Sequence, residues 1–234
     1  MAEGGVNMRF LLLITSLSFG VKTFAFDLQP YTATYQFNLN QQITGTATRT
    51  LSKQENNHYR YQFNATAAIA NANEVSEFIF DKQQVQSLNY QNSKQILFKN
   101  RVDQATFDWD KQQLITQRKG QNETFPLTDK TVLDPLNLEI QIRQDLSQQT
   151  KPQLKEYVLG DAKGFQPLKF TVDGMEKNKI PYGEIEALKV TRIHHSADRQ
   201  TQFWLAKSLD YLPVKVVQMD DGAIYTIELQ ALQK

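Results

Sequence analysis

Two aspartates that flank a tryptophan form the most chemically suggestive pair in the sequence. Asp108 and Asp110 lie on either side of Trp109, so in a strand their carboxylates share one face. Paired carboxylates can transfer protons or hold a hard cation such as Ca²⁺. They can equally be solvated on the outer face of a strand whose Phe107 and Trp109 point inward. We expect the solvated arrangement, and an enzyme that uses Asp108 and Asp110 is the catalytic alternative.

Other residues with catalytic or metal-binding chemistry are few. The histidines are His58, His194 and His195, and adjacent strand residues such as the last two point to opposite faces, which disfavours a shared metal ion. The chain has no cysteine, which excludes disulfides, thiolate metal sites and a cysteine nucleophile. The sequence lacks G-x-S-x-G, the phosphate-binding and dinucleotide-binding glycine motifs, and H-E-x-x-H. It therefore predicts a non-enzymatic protein with no catalytic residues, no metal site and no cofactor.

Aromatic side chains recur at every second position of several predicted strands, which places them on one strand face. Such a face can be an ordinary sheet core. On the concave side of a curved sheet it can instead be the wall of an apolar ligand cavity. For the cavity interpretation, the predicted ligand-binding residues are Tyr35, Phe37, Tyr61, Phe63, Phe107 and Trp109.

Short strands joined by polar turns account for most of the chain. Apolar and polar residues alternate over residues 31–38, which is typical of a half-buried strand. Asp220-Asp221-Gly222 near the end of the chain is a strong hairpin signal. The rhythm predicts a mostly β protein built as an antiparallel meander, a curved sheet or half-barrel. Predicted strands cover residues 31–37, 43–51, 59–67, 75–80, 85–90, 96–102, 105–109, 114–118, 156–159, 168–172, 185–193, 201–206, 214–219 and 223–232.

One segment departs from the two-residue period. Asp134 can cap a helix, and Pro135 suits the first helical position. Apolar residues recur four apart at 138, 142 and 146, which favours one amphipathic helix from about Pro135 to Ser147. Alternation at 136, 138, 140 and 142 also permits a strand. A single helix cannot cover so many strands, so the sheet closes on itself or leaves part of its apolar face open.

Residues 1–25 have the features of an export signal. Arg9 precedes an apolar run over residues 10–21, and the small Ala25 fits a cleavage site. The run is short for a permanent anchor, although an N-terminal membrane anchor is the rival interpretation. We therefore expect residues 1–25 to be removed and residues 26–234 to form a single antiparallel β domain. This domain would be soluble in the periplasm and would have no transmembrane segment.

Composition narrows the range of partners. The formal net charge is +1, whereas proteins that bind DNA or RNA normally carry a clear basic excess, so we expect no nucleic-acid partner. Hydrophobic residues make up 40% of the chain, which is enough for a sizeable core in one domain. The absence of cysteine also removes the lipid attachment point of a bacterial lipoprotein.

Three segments together resemble a known family. They are residues 106–109 (TFDW), residues 133–138 (LDPLNL), and residues 201–206 (TQFWLA) with the following residues 211–214 (YLPV). They are similar to a secreted bacterial family catalogued as a domain of unknown function (number 3108). The resemblance implies location in the Gram-negative envelope and a curved sheet similar to the half-barrels of the lipoprotein carriers LolA and LolB. It implies no known activity and supplies no catalytic residues.

These observations favour a non-catalytic periplasmic protein that binds an apolar or amphipathic ligand, in the manner of a lipid or lipoprotein carrier. The expected ligand is a lipid or an acyl chain, and a protein of the envelope is the other expected partner. The step from the fold to lipid carriage is an analogy. Two alternatives remain open: an envelope assembly or structural factor without a small ligand, and the enzyme that uses Asp108 and Asp110.

Overall fold

A computed structural model describes residues 26–68, 70–127, 131–196 and 198–234. Within these residues the chain forms fifteen strands and one α-helix. The strands are β1 (Tyr31–Leu39), β2 (Ile43–Lys53), β3 (His58–Ala67), β4 (Ala70–Asp81), β5 (Gln84–Ile96), β6 (Lys99–Asp108), β7 (Gln113–Arg118), β8 (Gln121–Pro126), β9 (Val132–Leu133), β10 (Tyr157–Asp161), β11 (Gly164–Ile180), β12 (Gly183–Ile193), β13 (Arg199–Ala206), β14 (Leu212–Asp220) and β15 (Ala223–Gln233). The helix α1 spans Leu138–Ser147, and a 3-10 turn spans Lys207–Leu209.

All fifteen strands belong to one sheet, in the order β8-β7-β6-β5-β4-β3-β2-β1-β15-β14-β13-β12-β11-β10-β9. Strands that are neighbours in sequence pair with each other, except β8 and β9, and β1 also pairs with β15. Pairing is antiparallel except between β9 and β10, which are parallel. The expectation of a purely antiparallel sheet is wrong at this one place. Parallel neighbours cannot be joined by a tight turn and need a long crossover connection. The segment between β9 and β10, which contains α1, is such a connection.

The sheet curves strongly without closing into a barrel. Its two edge strands in the described part of the chain, β8 and β9, are not paired with each other. The β9 edge nevertheless contacts the other half of the sheet, where the Ser87 hydroxyl on β5 donates a hydrogen bond of 3.2 Å to the Val132 carbonyl. Gly160 on β10 also sits against Phe107 on β6, so closely that a Cβ would lie 3.0 Å from the ring. The mostly β, curved and open architecture expected from the sequence is confirmed.

The segment predicted as a strand over residues 96–102 is instead a hairpin turn followed by the start of β6. Leu97 has a φ of 53°, which lies in the left-handed region that tight turns require. Leu97 and Phe98 are exposed, at 60% and 101%, so their apolar character wrongly indicated a strand. The strands β8 and β9 were not predicted, because β8 is an exposed polar edge strand and β9 has two residues.

The core lies on the inner face of the sheet, under α1. On β1, Tyr31, Ala33 and Tyr35 are buried and alternate with more exposed residues, as the two-residue period predicts. The helix contributes Ile140 and Leu146, both fully buried. The prediction of one amphipathic helix packed on the sheet is therefore confirmed.

The helix begins three residues later than predicted. Residues 135–137 form a turn, and α1 starts at Leu138 with Asn137 as its N-cap residue, which makes no side-chain capping bond. The Asp134 carboxylate accepts hydrogen bonds of 2.8 Å from the backbone N–H groups of Leu136 and Asn137. Asp134 therefore caps the turn that leads into the helix instead of the helix itself. The predicted first residue of the helix, Pro135, and its predicted cap, Asp134, are therefore wrong by three residues each.

A buried polar cluster fixes this turn on the sheet. Ser76 on β4 donates a hydrogen bond of 2.6 Å to Asp134, and the Asn137 amide donates one of 2.9 Å to the Ser87 hydroxyl on β5. All four residues are buried, and their mutual hydrogen bonds make this burial tolerable. Burial raises the pKa of Asp134 to about 7, although the hydrogen bonds from Ser76 and the backbone act in the opposite direction. The cluster thus sets where α1 starts relative to the strands.

The first described residue, Phe26, packs in the core. Phe26 is buried, and its ring packs edge-on against Phe80 with 6.1 Å between the centroids. The predicted export signal, residues 1–25, lies outside the described residues. Among the helices that the structure describes, none has the length and apolar character needed to cross a membrane.

Candidate functional site

A cavity of about 590 Å³ lies between the start of α1 and the inner face of the sheet. Its walls come from β2–β6 on one side and from β10–β15 on the other. A cavity of this size is typical of sites for small molecules. The middle of its wall is apolar, and we call this zone the apolar belt. The belt consists of Phe63, Leu159, Phe170, Val190, Phe203, Val216 and Ile227.

The end of the cavity beside α1, its floor, contains a charged cluster. Arg49 on β2 forms an ion pair with Glu139 in the first turn of α1, and the guanidinium lies 5.3 Å from the centre of the Phe63 ring. The Tyr61 hydroxyl donates a hydrogen bond of 2.8 Å to the same carboxylate. Arg143 approaches that carboxylate to 3.8 Å. Two guanidinium groups therefore share one carboxylate at the floor.

The opposite end, the mouth, lies where β12 ends and β13 begins, beside the outer part of the β5–β6 hairpin. Ion pairs of 2.7 Å join Arg101 to Asp103 and Arg199 to Asp220. The cavity therefore has charged groups at both ends and an apolar belt between them, which is interrupted on β4 by Glu74, the cross-strand neighbour of Phe63. The charged residues of the mouth are Lys94, Arg101, Asp103, Asp161, Lys163, Arg192, Arg199 and Asp220.

Of the six predicted ligand-binding residues, the structure brings Phe63 to the cavity wall. Tyr35 and Tyr61 point to the same interior but are buried outside the cavity lining. The Tyr35 hydroxyl donates a hydrogen bond of 3.0 Å to the Pro213 carbonyl, and burial raises the pKa of Tyr35 well above its usual value. These two tyrosines support the floor.

The other three predicted residues are part of the packed sheet. Phe107 and Trp109 stack with 6.3 Å between their ring centroids, and the Trp109 indole donates a hydrogen bond of 2.7 Å to the Ser87 carbonyl. Phe37 is half-buried, and its ring lies 6.3 Å from that of Tyr225. The structure therefore does not gather the six residues around one space.

Two arginines of the cavity, Arg49 and Arg192, were not singled out from the sequence. Each occupies a position where the strand alternation demands an inward side chain. Arg49 lies two residues after the buried Ala47 on β2, and Arg192 lies two residues after the buried Val190 on β12. A charged residue at an inward position of a strand is the signal that identifies them, because a buried charge needs a partner.

The acidic pair lies outside the cavity lining. Asp108 ends β6 and accepts hydrogen bonds from Lys111, of 2.9 Å from the backbone N–H and 3.0 Å from the ammonium group. The backbone hydrogen bond from Lys111 is the main reason that the pKa of Asp108 lies below its usual value. Asp110 is exposed in the same turn. Both carboxylates thus occupy a surface turn.

The three histidine side chains do not form a common site. His194 lines the mouth of the cavity, with Nε2 at 3.0 Å from the Thr201 hydroxyl, whereas His195 is exposed. His58 is at the start of β3. In the described ranges, no three histidine, aspartate or glutamate residues are grouped so that they could hold a metal ion.

Comparison with known proteins gives a family and a fold. The profile of a family described as protein of unknown function (DUF3108) matches residues 30–230. A search of curated proteins found no match. A solved structure, titled as a beta-barrel-like protein of domain of unknown function DUF1849 from Brucella abortus, is similar with a TM-score of 0.57 and 11% identity, over 88% of this chain and 98% of that chain. At this identity the likeness concerns the fold alone.

A second solved structure, the complex of MucA and MucB from Pseudomonas aeruginosa, aligns at 10% identity over 86% of this chain and 88% of that chain. Its TM-score of 0.19 is too low to support a structural argument.

Proposed function

The chain belongs to the family described as protein of unknown function (DUF3108), and we propose that it is a non-catalytic periplasmic protein that binds an apolar or amphipathic ligand in its inner cavity. A lipid or the acyl chain of a lipoprotein is the ligand class we favour. The observation that carries the proposal is the apolar belt in a cavity of about 590 Å³. A cavity that combines apolar side chains with polar and charged groups suits a ligand that has both an apolar and a polar part.

The belt offers a physical driving force for such binding. Transfer of a methylene group from water to an apolar site gains about 0.8 kcal/mol. Ten methylenes would contribute about 8 kcal/mol before the cost of ordering the ligand. An apolar chain in the belt would also contact aromatic rings such as Phe170 and Phe203, whose centroids lie 6.4 Å apart.

An envelope assembly factor without a small ligand is the second candidate. It is favoured by Leu97 and Phe98, which project from the β5–β6 turn at 60% and 101% exposure. Exposed apolar groups of this kind often mark a surface that a partner covers. The enzyme alternative has less support, because Asp108 and Asp110 lie outside the cavity lining.

The proposal is tested by titrating the purified, delipidated protein with a fluorescent fatty-acyl probe. Val216 on β14 lines the belt, whereas the next residue, Val217, is half-buried on the opposite strand face and does not line it. Val216→Trp should fill the belt and weaken binding at least about tenfold, while the matched control Val217→Trp should bind as the wild type does. If the wild type binds no probe, or if both variants bind equally well, the ligand-binding proposal fails and the assembly factor replaces it.

A further inference from the structure

Arg192 is an unpaired cation at the boundary between the apolar belt and the mouth. It lines the cavity near the end of β12, two residues after Val190 of the belt. Its neighbours across the strands are Phe170 on β11 and Thr201 on β13. Its side chain therefore stands in the wall of the cavity where apolar residues give way to polar ones.

The other arginines of the cavity each have a carboxylate partner. Arg49 pairs with Glu139, Arg101 with Asp103, and Arg199 with Asp220. No hydrogen bond or ion pair joins Arg192 to any residue that the structure describes, and its Nε is buried without a hydrogen-bond partner. Arg192 as a whole is half-buried, so its guanidinium is partly desolvated and has no ion-pair partner among the described residues, and an anion from outside the chain would meet unsatisfied N–H donors there.

The surroundings of Arg192 increase its demand for an anion. Burial and the nearby charge of Arg199 lower the pKa of Arg192, and Asp161 opposes them only in part. Asp161 is itself engaged, since it accepts a hydrogen bond of 2.7 Å from the backbone N–H of Lys163. Asp161 forms no ion pair with Arg192, and because Arg192 lines the cavity, a negative group from outside the chain can approach it there.

The position of this cation relative to the belt defines the shape of a suitable ligand. Beside Arg192, the inner face of β13 lines the cavity from Thr201 through Phe203 to Leu205, a distance of about 13 Å along the strand. Phe203 and Leu205 on β13 are the neighbours of Val190 and Leu188. A molecule with one anionic end and one unbranched apolar chain would therefore place the anion at Arg192 and the chain along the belt.

We propose that Arg192 binds the anionic headgroup, a carboxylate or a phosphate, of an amphiphile whose apolar chain occupies the belt. This inference rests on the proposed function and specifies its ligand class. A guanidinium presents paired N–H donors that match the oxygens of a carboxylate or phosphate. Ligands with the same chain and a neutral or cationic headgroup gain no such contact.

The test compares ligands that share a dodecyl chain and differ in headgroup: laurate, lauryl phosphate, lauryl alcohol and dodecylamine. Each displaces the fluorescent fatty-acyl probe from the delipidated protein. The wild type should bind at least one of the two anions about tenfold or more tightly than the alcohol and the amine. The anion that binds more tightly distinguishes a carboxylate source from a phosphate source.

Arg192→Gln should remove this preference, so that laurate and lauryl phosphate bind no more tightly than lauryl alcohol, whereas Arg192→Lys, which keeps the charge, should retain part of it. The matched control is Arg118→Gln, because Arg118 also has a buried Nε without a partner but does not line the cavity. This control should keep the full preference.

The outcomes separate the two proposals. Equal binding of anions and alcohol by the wild type, or a preference that survives Arg192→Gln, overturns the role of Arg192 while ligand binding stands. Failure of the probe and of all four amphiphiles to bind overturns the proposed function itself. Because Arg192 makes no polar contact within the described chain, Arg192→Gln should melt at the wild-type temperature or higher, so the variant remains testable.

Discussion

Glu139 on α1 and Arg49 on β2 form an ion pair that joins the helix to the sheet, and each side chain is 12% exposed. Arg143, one helical turn after Glu139, lies 3.8 Å from the same carboxylate. The single carboxylate thus neutralises two nearly buried cations. The residues therefore contribute unequally to the stability of the protein. Loss of Glu139 leaves both Arg49 and Arg143 without this carboxylate, whereas loss of Arg49 leaves Glu139 beside Arg143.

Glu139→Gln should therefore destabilise the protein more than Arg49→Met. Removal of one partner from a buried ion pair costs about 3–5 kcal/mol, and we expect a loss in this range for Glu139→Gln. Arg49→Met keeps an aliphatic chain against Phe63 and leaves Glu139 beside Arg143, so its cost should be smaller by about 1–2 kcal/mol. Urea unfolding of the two variants measures both values, and the reverse order of stability would contradict this account of the floor.

The buried carboxyl of Asp134 should make stability depend on pH. An aspartate in the unfolded chain titrates near pH 3.9, whereas burial raises the pKa of Asp134 to about 7 in the folded protein. Below about pH 4 the group is protonated in both states, and its contribution to stability is fully present. As the pH rises through about 7, folding must keep an ionised carboxylate buried, and this contribution is lost.

We expect the free energy of unfolding of the wild type, relative to Asp134→Asn, to fall by up to about 4 kcal/mol between about pH 4 and pH 8. The asparagine is neutral throughout and keeps an oxygen for the N–H groups of the turn. Urea unfolding at a series of pH values provides the measurement. Asp110→Asn, which removes an exposed carboxylate, is the control and should follow the wild-type pH profile. A difference between wild type and Asp134→Asn that stays constant with pH would exclude this role of Asp134.

The acidic surface turn offers a test of the enzyme alternative. Asp108 is held by Lys111, and Asp110 is exposed. The double variant Asp108→Asn, Asp110→Asn should therefore leave both the melting temperature and ligand affinity unchanged, within the small effects usual at surface positions. An envelope phenotype that disappears in the double variant while the melting curve is unchanged would restore the enzyme alternative.

Export is tested by the mass of the mature protein. The apolar run over residues 10–21 and the small Ala25 predict cleavage before Phe26. Intact-mass measurement of protein from the periplasmic fraction should give a chain that starts at Phe26. Recovery of the uncleaved chain from the inner membrane would show that the segment is an anchor.

Much of the fold follows from local patterns in the sequence. The alternation on β1 predicts which side chains are buried, since Tyr31, Ala33 and Tyr35 lie inward as expected. The patterns fail where the same run of residue types is compatible with two different backbone structures. Leu97 and Phe98 are apolar and therefore resembled a strand, but their backbone forms a turn and their side chains face solvent.

The cavity was harder to predict than the strands. Alternation gives the direction of each side chain but not the gap between opposite walls, which depends on how β2–β6 curve toward β10–β15. Phe63 and Phe107 both carry the signal of an inward aromatic residue, yet Phe63 lines the cavity and Phe107 stacks on Trp109. Arg192 carries a sharper signal, because a charge on an inward strand position has few structural explanations.

The pairing of β1 with β15 has a consequence for how the protein folds. It is the one backbone ladder in the described chain that joins the half of the sheet containing β1–β8 to the half containing β9–β15, and it matches Thr32 with Gln233. Each half can form from contacts between strands that are close in sequence, whereas this ladder must close almost the whole chain as a loop, which is slow. Until β15 has been made and has docked, β1 is an unpaired strand edge. Folding therefore competes with edge-to-edge aggregation until the last strand arrives.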